Sequence, residues 1–196
     1  MSQKRGLDMD TILNAAAELA EEAGLENVTL LQVAERLGVK SPSLYNHVSG
    51  LKDLSTGMAK LSINRLEEAI RNAAVGRGGA QALEEMAFAY RQFAKTTPEL
   101  YKAFIHSAAL EDPNIGEASQ SLVRVVYRVL ESYDLCYEDQ IHFTRMFRSN
   151  LHGFVSLEEA GFFHKEVDAD ETFAKMVKSY IGLLNNRRST ETERGE

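Results

Sequence analysis

Apolar residues recur at helical spacing along most of the chain. Ile12, Ala16, Leu19, Ala20 and Ala23 form one stripe, stopped by Gly24. Leu30, Val33, Ala34 and Leu37 fall at i, i+3, i+4 and i+7, with Gly38 where a helix end tolerates left-handed φ. Leu51, Leu54, Met58 and Leu61 open a long helix that the Gly76-Arg77-Gly78-Gly79 break terminates. Five further helices follow. One runs from about Ala80 to Lys95 with Leu83, Met86, Ala87, Tyr90 and Ala94 on a face, and a short one starts near Pro98 with Leu100, Tyr101, Phe104 and Ile105. Asp112-Pro113 begins another that reaches about Tyr133; Glu138 or Asp139 opens the next, to about Phe163; the last covers Asp170 to Asn186. No stretch alternates with the period of a strand, so the pattern predicts an all-α fold.

The segment 29–47 carries the densest information. Thr29 is placed to cap the Leu30–Leu37 helix. Ser41 is expected to cap the next one, with Pro42 at its first position and Ser43, Leu44, Tyr45, Asn46 and His47 along it. Two short helices across a tight turn make a helix-turn-helix, whose second helix enters the DNA major groove.

Three runs in order, Ile12-Leu13-x-Ala15-Ala16-x-x-Leu19 to Gly24, Thr29-Leu30-x-x-Val33-Ala34-x-x-Leu37-Gly38-Val39, and Ser43-Leu44-Tyr45-x-His47-Val48, together resemble the TetR family of bacterial transcriptional repressors over roughly the first 60 residues. The resemblance implies a homodimer with one helix-turn-helix head per subunit in residues 1–50, and a helical regulatory and dimerisation domain in 51–186. It assigns DNA contact to Lys40, Ser41, Pro42, Ser43, Tyr45, Asn46 and His47. It departs at Leu51, where many members carry a phosphate-binding Lys; Lys52 follows one residue later and is the candidate substitute, with the helix N-terminus alone as the alternative. Each residue also has a plainer reading. Leu44 suits the core. Tyr45 suits a phosphate oxygen or a half-buried site; Asn46 suits adenine or solvent; His47 suits DNA or the end of its own helix.

The same resemblance points to the last two helices as the dimer seam, with Leu151, Phe154, Phe173, Val177, Tyr180, Ile181 and Leu184 as its candidate residues. Residues 143–157 are apolar on more than one side, as befits a helix between its own core and a partner. His152-Gly153 and Leu157 to Gly161 are similar to a His-Gly-containing subgroup of TetR regulatory domains, and Gly153 would admit a close backbone or ease a bend. The family's ligand cavity would lie among the middle helices. Met86, Tyr90, Phe104, Tyr127, Phe147 and Asn150 are its candidate lining, although such a stripe is also what an ordinary core looks like.

Charge changes the picture less than expected for a DNA binder. The net charge is −7, and residues 1–60 hold six Lys/Arg against eight Asp/Glu. Position outweighs the sum: Glu18, Glu21, Glu22 and Glu26 lie on the first helix and the loop after it, whereas Lys40 and Lys52 flank the reading helix. Modest nonspecific affinity follows, since phosphate neutralisation supplies most of it. The absence of any 18-residue apolar run and of a signal-peptide core predicts a cytoplasmic protein without a membrane partner. The lone Cys136 leaves no internal disulfide and reads as inert near a helix end. The tail 187–196 is charged and expected to be disordered.

Nothing points to catalysis. The five histidines, His47, His106, His142, His152 and His164, form no ligand cluster. His142 and His152 share a helix face but stand about 15 Å apart along it, at 1.5 Å per residue. No metal and no cofactor are expected. The predicted function is therefore a dimeric DNA-binding regulator, a repressor released from its double-stranded operator by a small, mostly apolar inducer. The alternative is a helical protein-interaction module that keeps the head without sequence-specific DNA binding.

Overall fold

The computed structural model describes residues 7–106, 112–163 and 166–192. All regular structure among them is helical. The chain forms α1 (Met9–Ala23), α2 (Leu30–Leu37), α3 (Ser41–Leu44), α4 (Leu51–Ala74), α5 (Gly79–Thr96), α6 (Pro98–Ile105), α7 (Pro113–Leu130), α8 (Tyr137–Glu159) and α9 (Ala169–Thr192). Single 3-10 turns cover Leu25–Asn27 and Glu131–Tyr133. These elements sort into two compact units, one of residues up to Arg65 plus Thr97–Ser119, the other of Leu66–Thr96 plus Gln120 onward.

The first unit holds α1, α2, α3, the first half of α4, and α6. Asp8 caps α1, its carboxylate accepting from the Thr11 N–H at 2.8 Å. Thr29 and Gln32 close a capping box on α2: the Thr29 hydroxyl accepts from the Gln32 N–H, and the Gln32 amide oxygen accepts from the Thr29 N–H. Gly38, at φ 67°, ends α2 in the left-handed region. Ile12, Ala16, Ala20, Val33, Ala34, Leu44, Val48, Leu54 and Met58 pack as one core, and Ala103 of α6 joins them. The head thus shares its interior with a helix that lies some fifty residues beyond the expected boundary at residue 50. Gly57 explains itself here: a Cβ on it would stand 2.6 Å from a Leu13 methyl, so α4 approaches α1 where a side chain would collide.

Several expected boundaries move. Lys40, not Ser41, is the cap residue of α3, because its carbonyl accepts from the Ser43 N–H at 2.8 Å and closes the first turn one residue early. No side-chain cap forms; Ser41 is the first helical residue and Pro42 the second. α3 also stops at Leu44 rather than running through His47. The His47 and Val48 N–H groups both return to the Leu44 carbonyl, which tightens residues 45–47 into a turn and turns Val48 into the core. Leu51, counted above on the apolar face of α4, is 52% exposed at that helix's first position. α8 ends at Glu159, not near Phe163, because Gly161 adopts φ 74° and donates back to Glu158. α9 runs to Thr192, past Asn186, for want of a Gly or Pro before that point; of the expected tail, residues 193–196 lie outside the described residues, as does His164.

In the second unit α5 packs on α8 and α9. Phe88, Phe154 and Phe173 meet edge to face, with centroids 5.3 Å (Phe88–Phe173) and 5.0 Å (Phe154–Phe173) apart. The Arg91 guanidinium lies over both Phe154 and Phe173, 5.3 and 4.9 Å from their centroids. It donates to both carboxylate oxygens of Glu158 and to Asp170, so one cation ties α5 to α8 and to the first turn of α9. Farther along, Tyr180 donates to the Phe143 carbonyl at 2.8 Å and stacks on Phe147.

Candidate nucleic-acid interface and outer helical face

The reading surface is built outward from two buried anchors. Leu44 and Val48 are 0% and 1% exposed, so the chain between them is pinned at both ends. Tyr45, 58% exposed, and Asn46 project from that turn, with His47 half-buried beside them. Lys40 and Pro42 are exposed at the start of α3, and Ser41 and Ser43 are half-buried. Leu44 itself is core and reads nothing. A short, rigidly seated loop with a phenol, a carboxamide, an imidazole and an ammonium facing solvent has the donors that phosphate oxygens and base edges accept from.

Lys52 is exposed at the second position of α4. The Asp53 carboxylate beside it accepts from both the Ser49 N–H, at 2.9 Å, and the Ser49 hydroxyl. One donor at the mouth of α4 is therefore already taken by an anion. A phosphate there meets like charge, so Lys52, not the bare helix end, is the group suited to hold it.

The acidic residues of α1 have intramolecular tasks. Glu22 and Glu18 pair with Arg36 of α2, and Arg36 holds the Glu22 carboxyl below the usual carboxylate range. Glu21 accepts from the backbone at the start of α6. These three carboxylates of an acidic head are thus engaged within the chain. The sequence alone did not disclose these pairings.

The seven candidate seam residues are all interior to the single chain. Leu151, Phe154, Phe173, Val177, Tyr180, Ile181 and Leu184 are at most 8% exposed. They form the core under α8 and α9 and have no area left to bury against a partner. The strongest apolar stripe of each helix was consumed by its own unit. A weaker stripe remains outside. On α8, Met146 and Leu157 are 42% and 46% exposed, Asn150 is exposed, and Gly153 lies between them with no atom within 4 Å of where its Cβ would be. On α9, Leu183 is 53% exposed, Ser179 is exposed and Met176 half-buried, and Gly182 has equally open space.

The candidate ligand lining is divided between the two units. Met86, Tyr90 and Phe147 are buried in the second unit and Tyr127 is half-buried, whereas Asn150 faces solvent on the outside of α8. Phe104 is buried in the first unit. Cys136 is exposed at the cap of α8 with its sulfur 3.1 Å from an Asp139 oxygen. No group of His, Cys, Asp or Glu among the described residues could hold a metal ion, and none of the described helices is long and apolar enough to cross a membrane.

A core-pinned helix-turn-helix followed in the chain by a helical bundle is the architecture of a DNA-binding transcriptional regulator. Residues 12–50 match the model of the bacterial regulatory proteins of the tetR family, and residues 83–180 match that of the tetracyclin repressor-like C-terminal domain. The chain belongs to the TetR family. An HTH-type regulator of Bacillus subtilis, YobS, is 31% identical over 96% of this chain and 99% of its own length. A Mycobacterium tuberculosis regulator, Rv0681, is 34% identical over 92% of this chain and 83% of its own. Among solved structures, TetR of Acinetobacter baumannii superposes with a TM-score of 0.72 at 21% identity, covering 93% of this chain and 98% of that one. A variant of that protein in complex with minocycline superposes at 0.70 and 22%, covering 93% and 95%.

Proposed function

We propose that the chain is a homodimeric repressor that reads an operator with Lys40, Ser41, Pro42, Ser43, Tyr45, Asn46 and His47, fixes a phosphate with Lys52, and is released by a small, mostly apolar ligand. The observation that carries the reading is the 45–47 turn, held between two buried anchors and exposing only groups that suit DNA. Release by a ligand rests on the family and on the A. baumannii neighbour that holds minocycline. It requires that the ligand bind the DNA-free state more tightly, and DNA must then weaken ligand binding by the same factor.

The dimer surface in this reading is the outer stripe, not the buried one. Met146, Asn150, Gly153 and Leu157 recur at four, three and four residues, and Met176, Ser179 and Leu183 at three and four, the spacing that packs helices side by side. Gly153 and Gly182 leave room for another backbone. In-vitro selection of duplex DNA, followed by gel shift, tests the DNA-binding part of the proposal. Tyr45→Phe is expected to weaken operator and random duplex alike, because a phosphate contact positions without specifying. Leu183→Glu is expected to give a monomer in light scattering while the helical signal persists. Equal affinity of the unmodified protein for selected and random duplex overturns the DNA reading.

A further inference from the structure

Two carboxylates join the head to α6 from opposite directions. α6 begins with Pro98, which has no N–H, so its unsatisfied donors are the N–H groups of Glu99 and Leu100. The Tyr101 N–H already returns to the Thr97 carbonyl at 2.9 Å. Thr97 makes no side-chain cap. Both free donors go to one side chain, Glu21 of α1, at 3.3 and 2.9 Å. Glu99 reaches back: one of its oxygens accepts from the Leu25 N–H, just past the end of α1, at 2.8 Å. The other takes the Lys102 ammonium at 2.7 Å. Lys102 and the Leu25 N–H lower the Glu99 carboxyl against the upward push of its burial. Glu21 of α1 thus caps the start of α6, Glu99 of α6 caps the start of the Leu25–Asn27 turn that follows α1, and a negative charge sits at the positive end of α6.

Beneath the caps, Ala103 of α6 enters the head's core cluster. A small side chain resists sliding poorly, whereas two caps that cross in opposite directions fix both translation and rotation. We propose that Glu21 and Glu99 form a latch that makes α6 a working part of the DNA-reading head. They are positioning residues: they touch no DNA, but they make α1, and through it the seat of α2 and α3, follow α6. This rests on the DNA-binding reading above, and the experiment separates the two.

The experiment is amide hydrogen exchange on the full chain, free and bound to the selected duplex. The variants are Glu21→Ala/Glu99→Ala, Glu21→Gln, and Glu18→Ala as control. The probes are Ala103, Phe104 and Ile105, whose amides do not bond to either carboxylate. In the unmodified protein, duplex binding is expected to slow their exchange about tenfold, because α6 is held by whatever holds the head. In the double alanine variant that slowing is expected to vanish while duplex binding persists. Glu21→Gln, whose single amide oxygen keeps one of the two N–H bonds, is expected to restore part of it, and Glu18→Ala to leave it whole. A merely stabilising contact would change exchange in the free protein without removing the response to DNA. The proposal is overturned if the double variant shows the full response, or if the unmodified protein binds duplex with none at α6. Failure to bind any selected duplex strikes the DNA reading. The latch is then judged on the free protein: unchanged exchange at Ala103–Ile105 in the double variant overturns it, and faster exchange there leaves only a stabilising contact, which overturns its role in DNA reading.

Discussion

Removing the Arg91 side chain isolates what holds α5, α8 and α9 together. In Arg91→Ala the two charge-assisted bonds to Glu158 disappear, along with the cation over Phe154 and Phe173. Asp170 contributes little, since its side chain is 70% exposed and water replaces the lost partner. Glu158 is the costly loss: its side chain is only 18% exposed and is left without its principal cation, with Lys95 alone at 3.5 Å. Breaking a buried pair from one side costs about 3–5 kcal/mol, and the partial exposure of Glu158 places this case near 3 kcal/mol. With an m value of about 3 kcal/mol/M, the urea midpoint falls by about 1 M. Circular dichroism at fixed protein concentration reads it, because the chain has no Trp to report by fluorescence. Replacing both partners tests the cause. Arg91→Met/Glu158→Met removes the charges together and is expected within about 1 kcal/mol of the parent. The pH dependence follows from the lowered Glu158 carboxyl. A carboxylate depressed on folding contributes stability above its unfolded value of about 4.5 and loses it as pH falls through the folded value. The gap between parent and Arg91→Ala is therefore full at pH 7 and closes in acid. A loss under about 1 kcal/mol, or a double variant as unstable as the two single losses summed, refutes the reasoning.

Other outcomes follow from single contacts. Thr29→Ala breaks the capping box of α2 and is expected to cost about 1 kcal/mol in urea unfolding. Tyr180→Phe loses the bond to the Phe143 carbonyl, worth about 1 kcal/mol. Burial pushes the Tyr180 phenol well above its ordinary value. Its share of stability is complete below about pH 10 and lost as pH rises further, because only the unfolded chain admits the phenolate. Ultraviolet titration of the parent should show Tyr180 staying protonated until the protein unfolds, and Tyr180→Phe should lower the number of such protected tyrosines by one.

The head was legible because its signals are local. Caps, glycine stops and apolar stripes in residues 12–48 each act within four residues, and Leu44 falls in the core as its spacing predicts. What sequence could not supply was long-range. Glu21 and Glu99 stand 78 positions apart and look like solvated charges until the fold sets them end to end. Arg91 looks equally ordinary, yet it shares a helix face with Ala87 and Ala94, and that placement was a readable hint of burial. The outer stripe that we propose for the dimer escaped notice for another reason. Amphipathicity reports which face is most apolar, and on α8 and α9 that face belongs to the protomer's own core; Met146, Gly153 and Leu183 form a fainter second pattern.

The pinned turn between Leu44 and Val48 bears on descent as well as on recognition. Tyr45, Asn46 and His47 add little to the interior, so their identities are nearly free of folding constraints. In the reading proposed here, a lineage could rewrite the DNA address at Asn46 and His47 one substitution at a time without lowering the yield of folded protein. Changes at Leu44 or Val48 would be purged whatever the operator. After gene duplication, the two copies are therefore expected to diverge in what they read while keeping the same scaffold.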